Sequence, residues 1–138
     1  LASLGGTADG IIAEGIASTN LNGNWVGSLS IIEPGKGYWV TMEQSGTLTV
    51  TGIPIQPDQI YNLHSGNNLI SYPFENPNSI TSILPDLYEG YFVNFIGEGL
   101  ASTQLSPGLW VGSLSQLEKN KGYWVKVTQS IDLNFEQP

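Results

Sequence analysis

The chain has no cysteine and no arginine, and a single histidine and a single methionine. Without cysteine there is no disulfide framework, no cysteine–zinc site and no thiol nucleophile. The cations are four lysines, Lys36, Lys119, Lys121 and Lys126, against twelve carboxylates, for a net charge of −8. That sign repels phosphate backbones and anionic bilayers, so nucleic acid is not an expected partner. Apolar runs are only a few residues long, too short for a helix inserted in a membrane.

The same scarcity thins the catalytic options. A Ser–His–acid triad would have to use His64, and no Gly-x-Ser-x-Gly elbow presents a serine. Asn62, Ser65 and Asn68 around it suit an ordinary turn or strand end. Gly5-Gly6-Thr7 lacks the lysine of a phosphate-cradling loop. No acidic run has calcium-loop spacing: Asp9-Gly10 stands alone, and Asp58 and Asp86 are isolated. No cofactor is expected; a structural Ca²⁺ held by separate loops and carbonyls stays open as the alternative. Two carboxylates can hydrolyse a glycosidic bond. Among twelve acids, however, some pair reaches the required spacing by accident, so the expectation is no enzyme.

What is abundant is turn chemistry. Seventeen glycines and eight prolines accompany only 12% charged residues. Ser, Thr, Asn and Gln must therefore supply the polar surface, a mixture that favours short strands over long helices. A length of 138 residues suits one domain or two small similar ones. The chain begins at Leu1 rather than Met, as a processed product or an excised fragment does.

The sequence repeats. Glu14-Gly15-Ile16-Ala17-Ser18-Thr19 returns as Glu98-Gly99-Leu100-Ala101-Ser102-Thr103. Trp25-Val26-Gly27-Ser28-Leu29-Ser30 returns intact as Trp110-Val111-Gly112-Ser113-Leu114-Ser115, and Lys36-Gly37-Tyr38-Trp39-Val40 as Lys121-Gly122-Tyr123-Trp124-Val125. One extra residue lies between these blocks in the second copy, where Ser106-Pro107-Gly108-Leu109 faces Asn22-Gly23-Asn24. An indel confined to a turn-rich loop is what two copies of one fold should show. We divide the chain into a first β-repeat, 1–53, a stiff linker, 54–60, and a second, complete β-repeat, 61–138. The second carries a leading section, from about Tyr61 to Leu87, that the first lacks. Either the first copy was cut from a longer array, the reading we favour, or another chain supplies its opening strand.

Period-two alternation places the strands. Tyr38, Val40 and Met42 share one face and Trp39, Thr41 and Glu43 the other; Tyr123, Val125 and Val127 oppose Trp124, Lys126 and Thr128. Ile131, Leu133 and Phe135 make a half-buried strand matched by Leu48 and Val50, and Gln44-Ser45-Gly46 should form a hairpin into the latter. Trp25, Gly27 and Leu29 form a further inward set. One short helix is expected at 78–84, stopped by Pro85. The fold class is all-β: two tandem, similar antiparallel modules, each a small sandwich or barrel.

Trp25 and Trp110 read as core. Trp39 and Trp124 lie on polar strand faces, where an indole stacks on a sugar, anchors an interface or is covered by a neighbouring strand or the sister copy. Lys36 and Lys121 stand at the strand entrances, able to lie over an indole or to pair with Glu33 and Glu118. These four residues are the ligand or interface candidates.

Asn68-Leu69-Ile70-Ser71-Tyr72-Pro73, Trp110-Val111-Gly112-Ser113-Leu114 and Lys121-Gly122-Tyr123-Trp124-Val125, with 25–29 and 35–40 in the first copy, together resemble a repeat module of large secreted and surface proteins of bacteria and of structural proteins of marine phages. The resemblance implies a repeated β-module on an extracellular, cell-surface or virion assembly, without enzymatic activity of its own and without catalytic residues to carry over. The expected function is a non-catalytic structural or adhesion module whose partners are proteins or neighbouring copies. The alternative is a carbohydrate-binding module that stacks polysaccharide on Trp39 and Trp124.

Overall fold

The computed structural model describes residues 8–47 and 55–137. Its first antiparallel sheet holds β1 (Ala8–Ala13), β2 (Ile16–Leu21), β3 (Asn24–Gly27) and β4 (Trp39–Met42), in the order β3-β2-β1-β4. After the leading strands β5 (Tyr61–Leu63), β6 (Gly66–Ser71) and β7 (Asn78–Ser79) come two single-turn helices, α1 (Ile80–Ile83) and α2 (Asp86–Glu89). Then follow β8 (Phe92–Gly97), β9 (Leu100–Ser106), β10 (Leu109–Gly112), β11 (Gln116–Leu117), β12 (Gly122–Val127) and β13 (Ile131–Leu133). The second sheet runs β10-β9-β8-β12-β6, while β11-β7 and β13-β5 form two-stranded pairs. The fold is all-β and antiparallel, and among the described residues no sheet closes into a barrel.

Turn residues dictate the hairpins. Asn22 and Gly23 both have positive φ, 54° and 90°, the backbone a two-residue β2–β3 turn needs to match strand twist. Pro107-Gly108 makes the β9–β10 turn with positive φ at the glycine alone. The extra residue of this half is absorbed as a bulge: Ser106 faces Leu109 and Gln104 faces Trp110, leaving Leu105 unopposed. A second bulge occurs in both sheets, at Asp9 between β1 and β4 and at Val93 between β8 and β12.

The Trp-Val-Gly-Ser-Leu blocks have a backbone reason. At Gly27 and Gly112 a Cβ would lie 2.3 Å from the Ala17 and Ala101 carbonyl oxygens. The bare glycine admits that approach, after which Leu29 and Leu114 donate their N–H to those carbonyls at 3.1 and 3.0 Å. Ser28 and Ser113 close the arrangement, each Oγ accepting from the Ala17 or Ala101 N–H at 3.2 Å. Gly27 is accordingly exposed rather than inward; Trp25 and Leu29 alone make the inward contacts.

The principal core belongs to the second half. Phe95, Leu133, Val125 and Ile83 are fully buried in it, with Tyr123, Val127 and Phe135 beside them. Trp110 lies at its edge, 5.5 Å from the Phe95 ring and donating from Nε1 to Glu89 at 3.2 Å. Among the described residues of the first half only Ile11 and Leu29 form a buried cluster, with Trp25, Tyr38 and Val40 half-buried against it.

The helix begins at Ile80, because Asn78 and Ser79 pair with Leu117 and Gln116; Pro85 ends it and starts the unforeseen α2. The hairpin expected at Gln44–Gly46 would lead into 48–54, which lies outside the described residues. In the second half, the corresponding strand β13 pairs with β5, not with β12. The 54–60 linker is described only from Ile55, where the Gln59 N–H bonds the Gln56 carbonyl at 3.0 Å.

Candidate functional site

The two sheets meet at the free edge of β6. One edge of β6 pairs with β12, Ile70 opposite Tyr123 and Leu69 opposite Trp124. The other meets the approach to β4: Lys36 bridges Ile70, Gly37 donates to the Leu69 carbonyl at 3.1 Å, and Ser71 donates to the Gly35 carbonyl at 3.2 Å. Gly37 is needed here, since a Cβ would come 2.7 Å from the Ile70 carbonyl oxygen and against the Leu69 side chain.

That pairing leaves the Leu69 N–H on the same edge, and a side chain answers it. Glu14 sits in the two-residue β1–β2 turn, followed by Gly15 at φ 76°. Its Oε2 accepts from the Leu69 N–H at 3.2 Å, and its Oε1 meets Nε2 of His64. A carboxylate thus caps an orphan backbone donor, a charge-assisted contact stronger than a neutral one.

His64 is held for this contact by the β5–β6 turn. The buried Asn68 side chain accepts from the His64 N–H at 3.0 Å and donates to its carbonyl at 2.9 Å. The ring's Nδ1 lies 2.9 Å from the Ser65 carbonyl oxygen. Both ring nitrogens thus face acceptors, which suits the doubly protonated ring. The Glu14 hydrogen bond, chiefly, and the Ser65 carbonyl raise the His64 pKa above 6.5. The ring is exposed, so water screens this pair.

The loops presenting these groups are braced alike in both halves. The Tyr38 hydroxyl accepts from the Glu33 N–H, and the Tyr123 hydroxyl from the Glu118 N–H, each at 2.8 Å. Burial, the largest influence, raises both phenol pKa values, so the hydroxyls stay neutral. Gly35 and Asn120 take matching left-handed conformations at φ 80° and 63°.

A groove of roughly 650 Å³ lies beside this joint. One wall is Glu98, Gly99 and Leu100 with the Glu118–Gly122 loop; the other is Tyr38, Trp39 and Val40. Trp39 is 37% exposed and neighbours Ile12 across the β1–β4 ladder. Trp124 is half-buried, between Ile96 and the buried Leu69. Lys36 and Lys121 are exposed. Neither joins Glu33 or Glu118: among the described residues the ion pairs are His64–Glu14 and Lys119–Glu75. Sequence reasoning placed His64 at a turn or strand end without pairing it with Glu14. The duplicated Glu-Gly and the lone histidine were the available signals, and neither carries a distance.

Among the described residues no group of three acids or histidines is placed to hold a metal ion. Among the described residues no helix is long and apolar enough to cross a membrane. No known protein family, curated protein or solved structure matches the chain.

Proposed function

We propose that this chain is a non-catalytic structural or adhesion segment built from two copies of one β-module, working in an extracellular, cell-surface or virion assembly. The observation that carries this reading is the shared strand β6. It completes its own sheet against β12 and, through its other edge, binds the preceding copy by backbone pairing and the Glu14 carboxylate. Such a joint fixes one module on the next with little apolar surface, as a load-bearing or display array requires. The matched bulges, tyrosine-braced loops and Gly-Ser-Leu crossings support the view that the copies are one module. The surface and virion setting rests on the resemblance of the motifs. The test is Glu14→Ala: the reading requires the two halves to reorient more freely relative to each other, measured by NMR relaxation, while each keeps its own chemical-shift pattern.

Carbohydrate recognition is the second reading, supported by the exposed Trp39 indole beside Glu98, Asn120 and Lys121. A Trp39→Ala protein that loses binding to an insoluble polysaccharide at unchanged melting temperature would favour it.

A further inference from the structure

The Glu98 groove matches, position for position, the surface of the first half that already grips a strand edge. Glu98 corresponds to Glu14, Glu118 to Glu33, Lys121 to Lys36 and Gly122 to Gly37. Both glutamates follow a strand of the same register and precede a glycine at φ 76° or 73°. What differs is occupancy. Gly35 and Gly37 are buried, whereas their counterparts Asn120 and Gly122 are exposed and half-buried. The Glu98 carboxylate has no hydrogen-bond or ion-pair partner among the described residues, while Glu14 has two.

We propose that this groove binds the free edge of an Asn-Leu-Ile-Ser strand from a further module of the same kind, Glu98 accepting that strand's leucine N–H as Glu14 accepts the Leu69 N–H. The occupant is argued from the internal contact, the same loop geometry holding such an edge in the same chain. It also explains the groove's second wall: Trp39 and Val40 offer apolar surface to the incoming leucine, as the Gly37 backbone packs against the Leu69 side chain in the existing joint. A histidine five residues before the leucine, as His64 precedes Leu69, supplies a cation for the other carboxylate oxygen. The inference rests on the strand-sharing reading above.

The test titrates a synthetic peptide of residues 61–73 into the isotope-labelled full chain at pH 6, following backbone amides. Saturable shifts at Glu98, Gly99, Lys121 and Gly122 are expected. Glu98→Ala, an exposed change that leaves the fold intact, should weaken binding by about ten-fold, the worth of one charge-assisted hydrogen bond. A peptide with Leu69→Pro, which lacks the bonded N–H, should also bind more weakly. No saturable shift at millimolar peptide, shifts confined elsewhere, or equal binding by the Glu98→Ala chain would overturn the proposal. So would movement of these amides by cellohexaose but not by the peptide. If Glu14→Ala frees the halves while the peptide fails to bind, this inference alone falls. If Glu14→Ala changes nothing, the reading beneath it falls as well.

Discussion

The Glu14 carboxylate, at the tip of a hairpin in the first sheet, accepts a hydrogen bond from the backbone N–H of Leu69 in the second, 3.2 Å away. Leu69 is itself only 2% exposed. Its carbonyl is taken by Gly37, so both of its edge-facing backbone groups are satisfied by the other half of the molecule. An open strand edge is a template for unwanted pairing, and here it is closed from within.

The joint should respond to pH through His64. Its pKa is raised in the folded protein by Glu14 and Ser65. The stabilisation is therefore fully present below the unfolded value near 6.5 and is lost as pH rises through the folded value. An NMR titration of the ring should give a midpoint above 6.5, and Glu14→Gln should move it back down. A midpoint unmoved by Glu14→Gln would show that the pair does not persist in solution.

The glycines of the two Gly-Ser-Leu crossings should be intolerant of any side chain. Gly112→Ala puts a methyl group into the Ala101 carbonyl and should cost about 2–3 kcal/mol or more in chemical denaturation. Gly99→Ala meets no atom within 4 Å and bears only the strain of its positive φ, about 1–2 kcal/mol. Equal losses would remove the close approach as the reason for this glycine.

Much of this was legible beforehand. The alternation in Tyr123–Thr128 and Ile131–Phe135 gave the buried faces directly, because a strand with one wet side must alternate. Asn22-Gly23 and Pro107-Gly108 marked true turns for the same local reason. The pairing of β13 with β5 was not legible, since strand partners far apart in sequence leave no periodic trace. Nor was the Glu14–His64 contact, which depends on how two sheets are set against each other. The helix start moved to Ile80 because Asn78 and Ser79 pair with Leu117 and Gln116, which leaves Ser79 at the N-cap.

Unequal cores should make the halves unequally stable. Phe95, Leu133 and Val125 lie in the large buried cluster of the second half, whereas the first half's described cluster centres on Ile11 and Leu29. Leu133→Ala should destabilise the second half by about 2–5 kcal/mol. Native-state hydrogen exchange should show β1–β4 amides opening at lower free energy than those of β8 and β12. Uniform protection across both sheets would contradict this.

Alkaline stability should report on Tyr61. Burial, the larger influence, pushes its phenol up to about 12, partly offset by the nearby Ser71 hydroxyl, although neither group meets hydrogen-bond geometry. The unfolded chain ionises near 10, so stability should fall as pH rises from 10 toward 12. In Tyr61→Phe that slope should flatten, as measured by denaturant midpoints across the range. An unchanged slope would assign the alkaline loss to other groups.

Amide exchange at Leu69 addresses the strand-sharing joint most directly. Removing the Glu14 carboxylate by Glu14→Ala should speed exchange of the Leu69 N–H by about ten-fold, the loss of one charge-assisted bond, while the β6–β12 ladder keeps its protection. Unchanged Leu69 protection in that variant would mean that Glu14 does not hold the two sheets together.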